Sequence, residues 1–314
     1  MTITHNVASD MSELVDPDEK IEWLGSGYGG HDDNGTFLGV AEGPVWIPES
    51  NHLVFTDNGR GVRYRWSESE GVVVLDTDTN QANGQTRDPQ GRLIWCEHAG
   101  RRVCRRESDG STTVVAGSYR GLRLNRPNDV VTDADGGIWF TDPFTFGVQS
   151  EVDLAGVYRV APDLSSINLV LRDFAMPNGL VFSLDETVLF VNDTARMHIR
   201  AFEIDRWAAA GGRPDLATDR VVVTMRGDAP GAPDGMKVDA AGRLWCTGPG
   251  GIWVIDPESG SHLGTVLVPG HSVTNFTFGG ADLKTLFFTT YTDFGRVRLR
   301  VPGVTVPRSV RRSS

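Results

Sequence analysis

The chain has 314 residues, with 30 Lys and Arg against 41 Asp and Glu, a formal charge of −11, and 39% hydrophobic residues. Such acidity repels phosphate backbones, which argues against nucleic-acid partners, and no apolar run approaches the ~20 residues of a membrane span. The hydrophobic share supports a sizeable core, and 37 Gly among short Val, Ile, Trp and Phe runs point to strands and tight turns rather than helices.

In chain order, residues 1–20 are polar and acidic and read as a flexible N-terminal segment. They carry neither a basic n-region nor an apolar h-region, so a cytoplasmic location is expected. Ile21–Leu24 is strand-like. From residue 41 a pattern recurs six times, opening on EGPVWI at Glu42, NGQTRD at Asn83, NDVVTD at Asn128, NGLVFS at Asn178, DGMKVD at Asp234 and NFTFGG at Asn275. Each opening is followed 10 or 11 residues later by the first aliphatic of a second strand: Leu53, Leu93, Ile138, Leu189, Leu244 and Leu286. Turn formers such as Asp88-Pro89-Gln90-Gly91 separate the paired strands, and third and fourth strands follow in most units. Asp205–Ala210 is the best short helix candidate, and residues 302–314, with Arg308, Arg311 and Arg312, read as a solvated tail. Cys96, Cys104 and Cys246 sit in or beside strand-like runs and read as buried, reduced thiols.

Six four-stranded units predict an all-β fold, a six-bladed β-propeller spanning residues 21–301 as a single domain. Ile21–Leu24 would complete the last blade after Arg296–Val301, closing the ring so that no edge is left open. A two-domain β-sandwich would not explain one polar residue recurring at fixed register.

The first strand of each propeller blade lines the central channel, so Glu42, Asn83, Asn128, Asn178, Asp234 and Asn275 should form a ring around one axis. Asn and Asp beside Gly are also common turn formers, and Asn178-Gly179 or Asp234-Gly235 alone could be only that. Two carboxylates converging on a water-poor axis, with no Lys or His in the ring, call for a positive charge between them. Carboxylate and amide oxygens suit one hard divalent cation, Ca²⁺ foremost, with Mn²⁺, Zn²⁺ or Fe²⁺ as substitutes. The sequence carries no Walker-type loop, His-Glu-x-x-His or Cys-x-x-Cys, and Asp76–Asn80 lacks the Gly and terminal Glu of an EF-hand loop.

These residues resemble the gluconolactonase/senescence-marker-protein (regucalcin-like) family, through AEGPVW (41–46), GRLIWCEHAGRRV (91–103), RLNRPNDVV (123–131), GGIWFTDP (136–143), MPNGLVFSLDE (176–186), PDGMKVDAAGRLW (233–245) and VPGHSVTNFTFGG (268–280). The resemblance implies a propeller with a divalent metal in the channel and lactone hydrolysis as the commonest activity. It places Glu42, Asn178 and Asp234 at metal-ligand positions, Asn128 at a substrate-binding position, and Arg126 where some members hold a sugar-acid oxygen. Many bacterial members have a small residue at the Arg126 position, which leaves the particular lactone open. A related phosphotriesterase group uses calcium on a similar ring.

A lactone carbonyl gains negative charge as water attacks, and a metal can offset that charge. Either Asp234, charged and central, or the ion itself would activate the water. No Ser or Cys stands beside a central His as a nucleophile. Loops on the same face would form the pocket, with Asp142–Gly156, carrying Pro143, Phe144 and Phe146, as a lid. His98, ending its strand, would contact substrate oxygens or serve only as a hydrogen-bonding residue of the rim. The expected substrate is a small-molecule lactone, the oligomeric state stays open, and a calcium-dependent phosphotriesterase or a non-catalytic ligand-binding propeller are the competing readings.

Overall fold

The computed structural model describes residues 3–144, 149–205 and 212–305. The Asp205–Ala210 helix candidate falls almost entirely outside these residues, as do Phe146 and the three tail arginines.

The strands assemble into six antiparallel sheets arranged as the blades of a propeller. Blade 1 comprises Ala41–Ile47, His52–Asp57, Val62–Ser67 and Gly71–Asp76. Blade 2 comprises Ala82–Arg87, Leu93–Glu97, Arg102–Arg106 and Thr112–Ala116; blade 3, Val130–Thr132, Ile138–Asp142, Gly156–Val160 and Ile167–Leu171. Blade 4 runs from Pro177–Phe182 through Val188–Asp193 and His198–Asp205 to Arg220–Thr224. Blade 5 holds Met236–Val238, Leu244–Gly248, Gly251–Ile255 and His262–Leu267. In blade 6, Val273–Gly279, Thr285–Thr290 and Asp293–Arg298 are joined by Glu22–Ser26 from the far end of the chain. That pairing supplies the outermost strand of the last blade from the other end of the chain and so closes the ring, as the sequence suggested.

Apolar residues of neighbouring blades interdigitate, so the core lies between blades. Leu180, Leu189 and Val191 of blade 4 pack with Trp139, Val157 and Leu171 of blade 3, and Phe55 of blade 1 with Phe287 and Phe294 of blade 6. Each fully buried side chain of this size contributes about 1.5–3 kcal/mol. Between blades 1 and 2 the apolar cluster is small, Ala82, Trp95 and Cys104. There the buried Arg63 guanidinium lies 4.6 Å from the Trp95 ring and bonds Gln85 and Asp76. All three thiols are buried and unbridged, and no helix among the described residues is long and apolar enough to cross a membrane.

The N-terminal segment differs from its reading as a flexible arm. Thr4–Asn6 pairs with His262–Leu267 as a fifth strand of blade 5, and Met11, Leu14 and Val15 are buried in the blade 5–6 core. A three-residue strand and three scattered apolar side chains leave no periodic signal in a polar segment; only the groove they fill reveals them. The chain end is also anchored further than expected. Gly303 bridges to Asp239, and Val304 packs against the blade 4–5 core.

Candidate metal centre and active site

In blades 1, 3 and 4 the second strand ends on a polar pair, Thr56-Asp57, Thr141-Asp142 and Asn192-Asp193. The first member of each pair ties its blade to the next. Thr56 Oγ1 donates to Asn83 O (3.2 Å), Thr141 Oγ1 to Asn178 O (2.7 Å) and Asn192 Nδ2 to Asp234 O (2.6 Å). The second member accepts backbone amides of the loop entering its own blade. Asp142 takes Asn125 N and Arg126 N, both at 2.8 Å, and Asp193 takes Ala175 N and Met176 N. Burial pushes the Asp142 carboxyl up to about 7. These pairs fix where each first strand begins.

Register shifts follow at the ring positions, between Glu42 and Val45, Pro177 and Leu180, and Val273 and Asn275. Such bulges re-aim a side chain. The glycine after the ring residue allows two blades to meet: a Cβ on Gly179 would lie 2.0 Å from Asp234 O, and one on Gly43, at φ +56°, 2.2 Å from Asn83 O. Asn178-Gly179 inside its strand and Asp234-Gly235 at the entry to the next blade's first strand therefore serve close packing between blades.

The six predicted residues come together as one polar girdle. Asn83 Nδ2 donates to Asn128 Oδ1 (3.0 Å), Asn128 Nδ2 to Asn178 Oδ1, and Asn275 Nδ2 to Glu42 Oε2 (3.0 Å). Glu42, Asn83, Asn178 and Asn275 are buried, whereas Asn128 and Asp234 are half-buried at the mouth. Asn83 Oδ1 is taken by Asn58 Nδ2 (2.7 Å), and Asn128 Oδ1 by Asn83 and by His98 Nε2 at 3.3 Å. Asn275 Oδ1 accepts from Phe276 N (2.9 Å) and Lys237 Nζ (3.2 Å). Asn178 instead anchors its Nδ2 on Thr194 Oγ1 (3.0 Å), turning its oxygen toward the ring.

Burial raises the Glu42 carboxyl, with a further push from Asp129, and raises Asp234 well above the carboxylate range, with Glu42 and Asp129 adding to it. Asp129 is itself raised by burial. Among the described residues no three His, Cys, Asp or Glu side chains gather as a metal-binding cluster. A cation here would depend on two carboxylates and on amide oxygen together, a donor set that fits a hard ion.

His98 is pushed down to about 3 by burial and by the Arg126 charge, so it is neutral and offers an N–H rather than a proton. Arg126, half-buried beside it, donates from Nη2 to Gln81 Oε1 (3.1 Å). The hairpin of Gly30–His31 and Phe37–Gly39 adds an aromatic rim, with Phe37 and Tyr291 rings 6.0 Å apart. Phe144 of the expected lid is exposed. Thr194, Gln81 and the Thr-Asp pairs were not found from sequence, although "TD" or "ND" ending three second strands was a visible signal.

A closed six-bladed propeller with an oxygen-lined axial girdle defines the structural class. The chain belongs to the SMP-30/gluconolactonase/LRE-like family, whose model matches residues 40–292. It is 31% identical to a gluconolactonase of Zymomonas mobilis, over 84% of this chain and 79% of that one. It is 28% identical to a pentonolactonase of Haloferax volcanii, over 80% and 81%. The solved structure of a gluconolactonase from Xanthomonas campestris superposes with a TM-score of 0.79 at 31% identity, covering 94% of each chain.

Proposed function

We propose that the protein is a divalent-metal-dependent lactonase that hydrolyses a sugar-acid type lactone to its hydroxy acid in the cytoplasm. The observation that carries this is the division of the girdle. Asn83 and Asn275 have their amide oxygens tied to donors of the channel wall, while the Glu42 and Asp234 carboxylates meet in the girdle. Asn178, anchored on Thr194 through its Nδ2, keeps its Oδ1 toward the ring beside Asn128 Nδ2. The gluconolactonase and pentonolactonase relatives support the substrate class. Glu42, Asn178 and Asp234 would hold the cation, Ca²⁺ on donor chemistry. When bound, it supplies Lewis acidity to the lactone carbonyl.

The chain's own residues supply the rest. Asp234, half-buried at the mouth, takes the proton of the attacking water and returns it to the ring oxygen as the acyl C–O bond breaks. Asn128 and the neutral His98 hold substrate oxygens from the side. Arg126 offers fixed donors to hydroxyl or carboxylate oxygens away from the reacting carbon.

The test is a pH-stat screen of sugar lactones, aliphatic lactones and a phosphotriester, with and without chelator. Chelator-sensitive turnover of sugar lactones is expected. Preference for the phosphotriester, or no turnover of any lactone, would overturn the assignment.

A further inference from the structure

Below the girdle, the channel continues into an apolar cavity of about 60 Å³ lined by Val45, Val130, Val181, Val238 and Phe278. One cation enters this lining, the half-buried Lys237. Its ammonium donates to Met236 O (3.1 Å) and Asn275 Oδ1 (3.2 Å), and lies 5.7 Å from the centre of the Phe276 ring. Asn275 Oδ1 also receives Phe276 N, so two obligate donors point at one atom and that atom must be the oxygen. The Asn275 amide nitrogen is thereby turned to Glu42 Oε2 at 3.0 Å. Lys237 is thus one amide away from Glu42, in a channel that also holds Asp129 and Asp234.

We propose that Lys237 is a built-in counter-charge of the metal site: through Asn275 it partly neutralises Glu42, Asp129 and Asp234 when no cation is bound, and it weakens cation binding by repulsion. This rests on the metal reading of the girdle. Three carboxylates, two buried and Asp234 half-buried, would repel one another strongly without compensation. A fixed ammonium a few ångströms below the ring relieves that in the metal-free protein, and the same charge opposes an incoming dication. Lys237 is therefore a positioning and tuning residue, and Asn275 presents an N–H rather than a ligand oxygen to the ring.

The experiment uses the full chain, stripped with chelator, and Ca²⁺ alone as the probe, at an alkaline pH where the carboxylates are ionised. Lys237→Met keeps the stem and removes the charge together with its two donated bonds, while Phe276 N still holds Asn275 Oδ1. Calorimetric titration should show Ca²⁺ binding about tenfold tighter in the variant, or ~1.4 kcal/mol. Its metal-free form should melt below the metal-free wild type, widening the gap between metal-free and loaded melting temperatures. Lys237→Arg, which retains the charge, should stay near wild type in both readings. A Lys237→Met variant that folds only with Ca²⁺ supports the proposal. Equal or weaker Ca²⁺ binding by Lys237→Met, or the same behaviour in Lys237→Arg, would overturn it. Absence of Ca²⁺ binding by the wild type would overturn the metal reading itself, and so separates the two failures.

Discussion

A single hydroxyl decides which way the Asn178 amide faces. Thr194 Oγ1 gives its hydrogen to Pro233 O (2.6 Å), so the lone pair it turns to Asn178 must accept an N–H, and Asn178 Oδ1 is left toward the ring. Thr194→Val removes that acceptor. A neutral hydrogen bond contributes about 0.5–1.5 kcal/mol net, so Ca²⁺ affinity should fall roughly 2- to 12-fold by calorimetry, with the fold retained. Undiminished affinity would show that the amide needs no such anchor. Asp234→Ala and Glu42→Ala should each lose bound ion and turnover together. Asn128→Ala should keep most of its ion and lose turnover, because its oxygen faces Asn83 and His98 rather than the carboxylates; elemental analysis beside kinetics checks this. Arg126→Ala should lower kcat/KM for a polyhydroxylated lactone by about 10- to 150-fold, the worth of a hydrogen bond to a charged donor. An aliphatic lactone should be almost unaffected. Equal loss on both substrates would make Arg126 a support for Gln81 and the rim instead.

At the scale of the element, the bulged first strand and the glycine behind it position the site. Gly179→Ala would drive a methyl toward Asp234 O, where only 2.0 Å is available, and force blades 4 and 5 apart. Overpacking of this kind costs about 1–3 kcal/mol. The variant should melt lower and bind Ca²⁺ more weakly, since Asn178 lies on one displaced strand and Asp234 leads into the other. Unchanged values for both would refute the close approach. The first strands were legible in the sequence because each opens on one polar residue at a repeated distance from its partner. Their detailed facing was not. Plain alternation from Asp234 would place Met236 in the channel, yet Met236 packs in the blade 4–5 core and Lys237 lines the channel. The chain slips one place between them, and a two-residue period cannot show that. The Thr-Asp pairs escaped for a different reason: their partners lie on the next blade or on a loop about 17 residues earlier, as for Asn125 and Asp142.

For the molecule as a whole, closure by Glu22–Ser26 and the repeat count were readable, since both follow from period alone. The anchoring of the N-terminus was not, because a three-residue strand is specified by the groove it enters. The charge at the centre also contributes to how the protein responds to pH. Glu42 and Asp234 are raised above their ordinary range near 4, so the folded, metal-free protein holds protons that the unfolded chain has released. The stability these two carboxylates contribute is therefore full below about 4 and is lost as pH rises toward about 7 and beyond. His98 and His262, kept neutral by burial, contribute with the opposite sign below about 6.5. The melting-temperature gap between Ca²⁺-saturated and chelated protein isolates the carboxylates and should widen as pH rises across this window, because the ion takes the place of the protons; a gap that narrows would contradict the sign. The central claim, that turnover belongs to the cation held by Glu42, Asn178 and Asp234, is tested most directly by adding Ca²⁺ stepwise to chelator-stripped protein while following lactone hydrolysis. Activity should rise from none to a plateau at about one ion per chain, in step with occupancy. Full activity in protein shown by elemental analysis to be free of metal would contradict it.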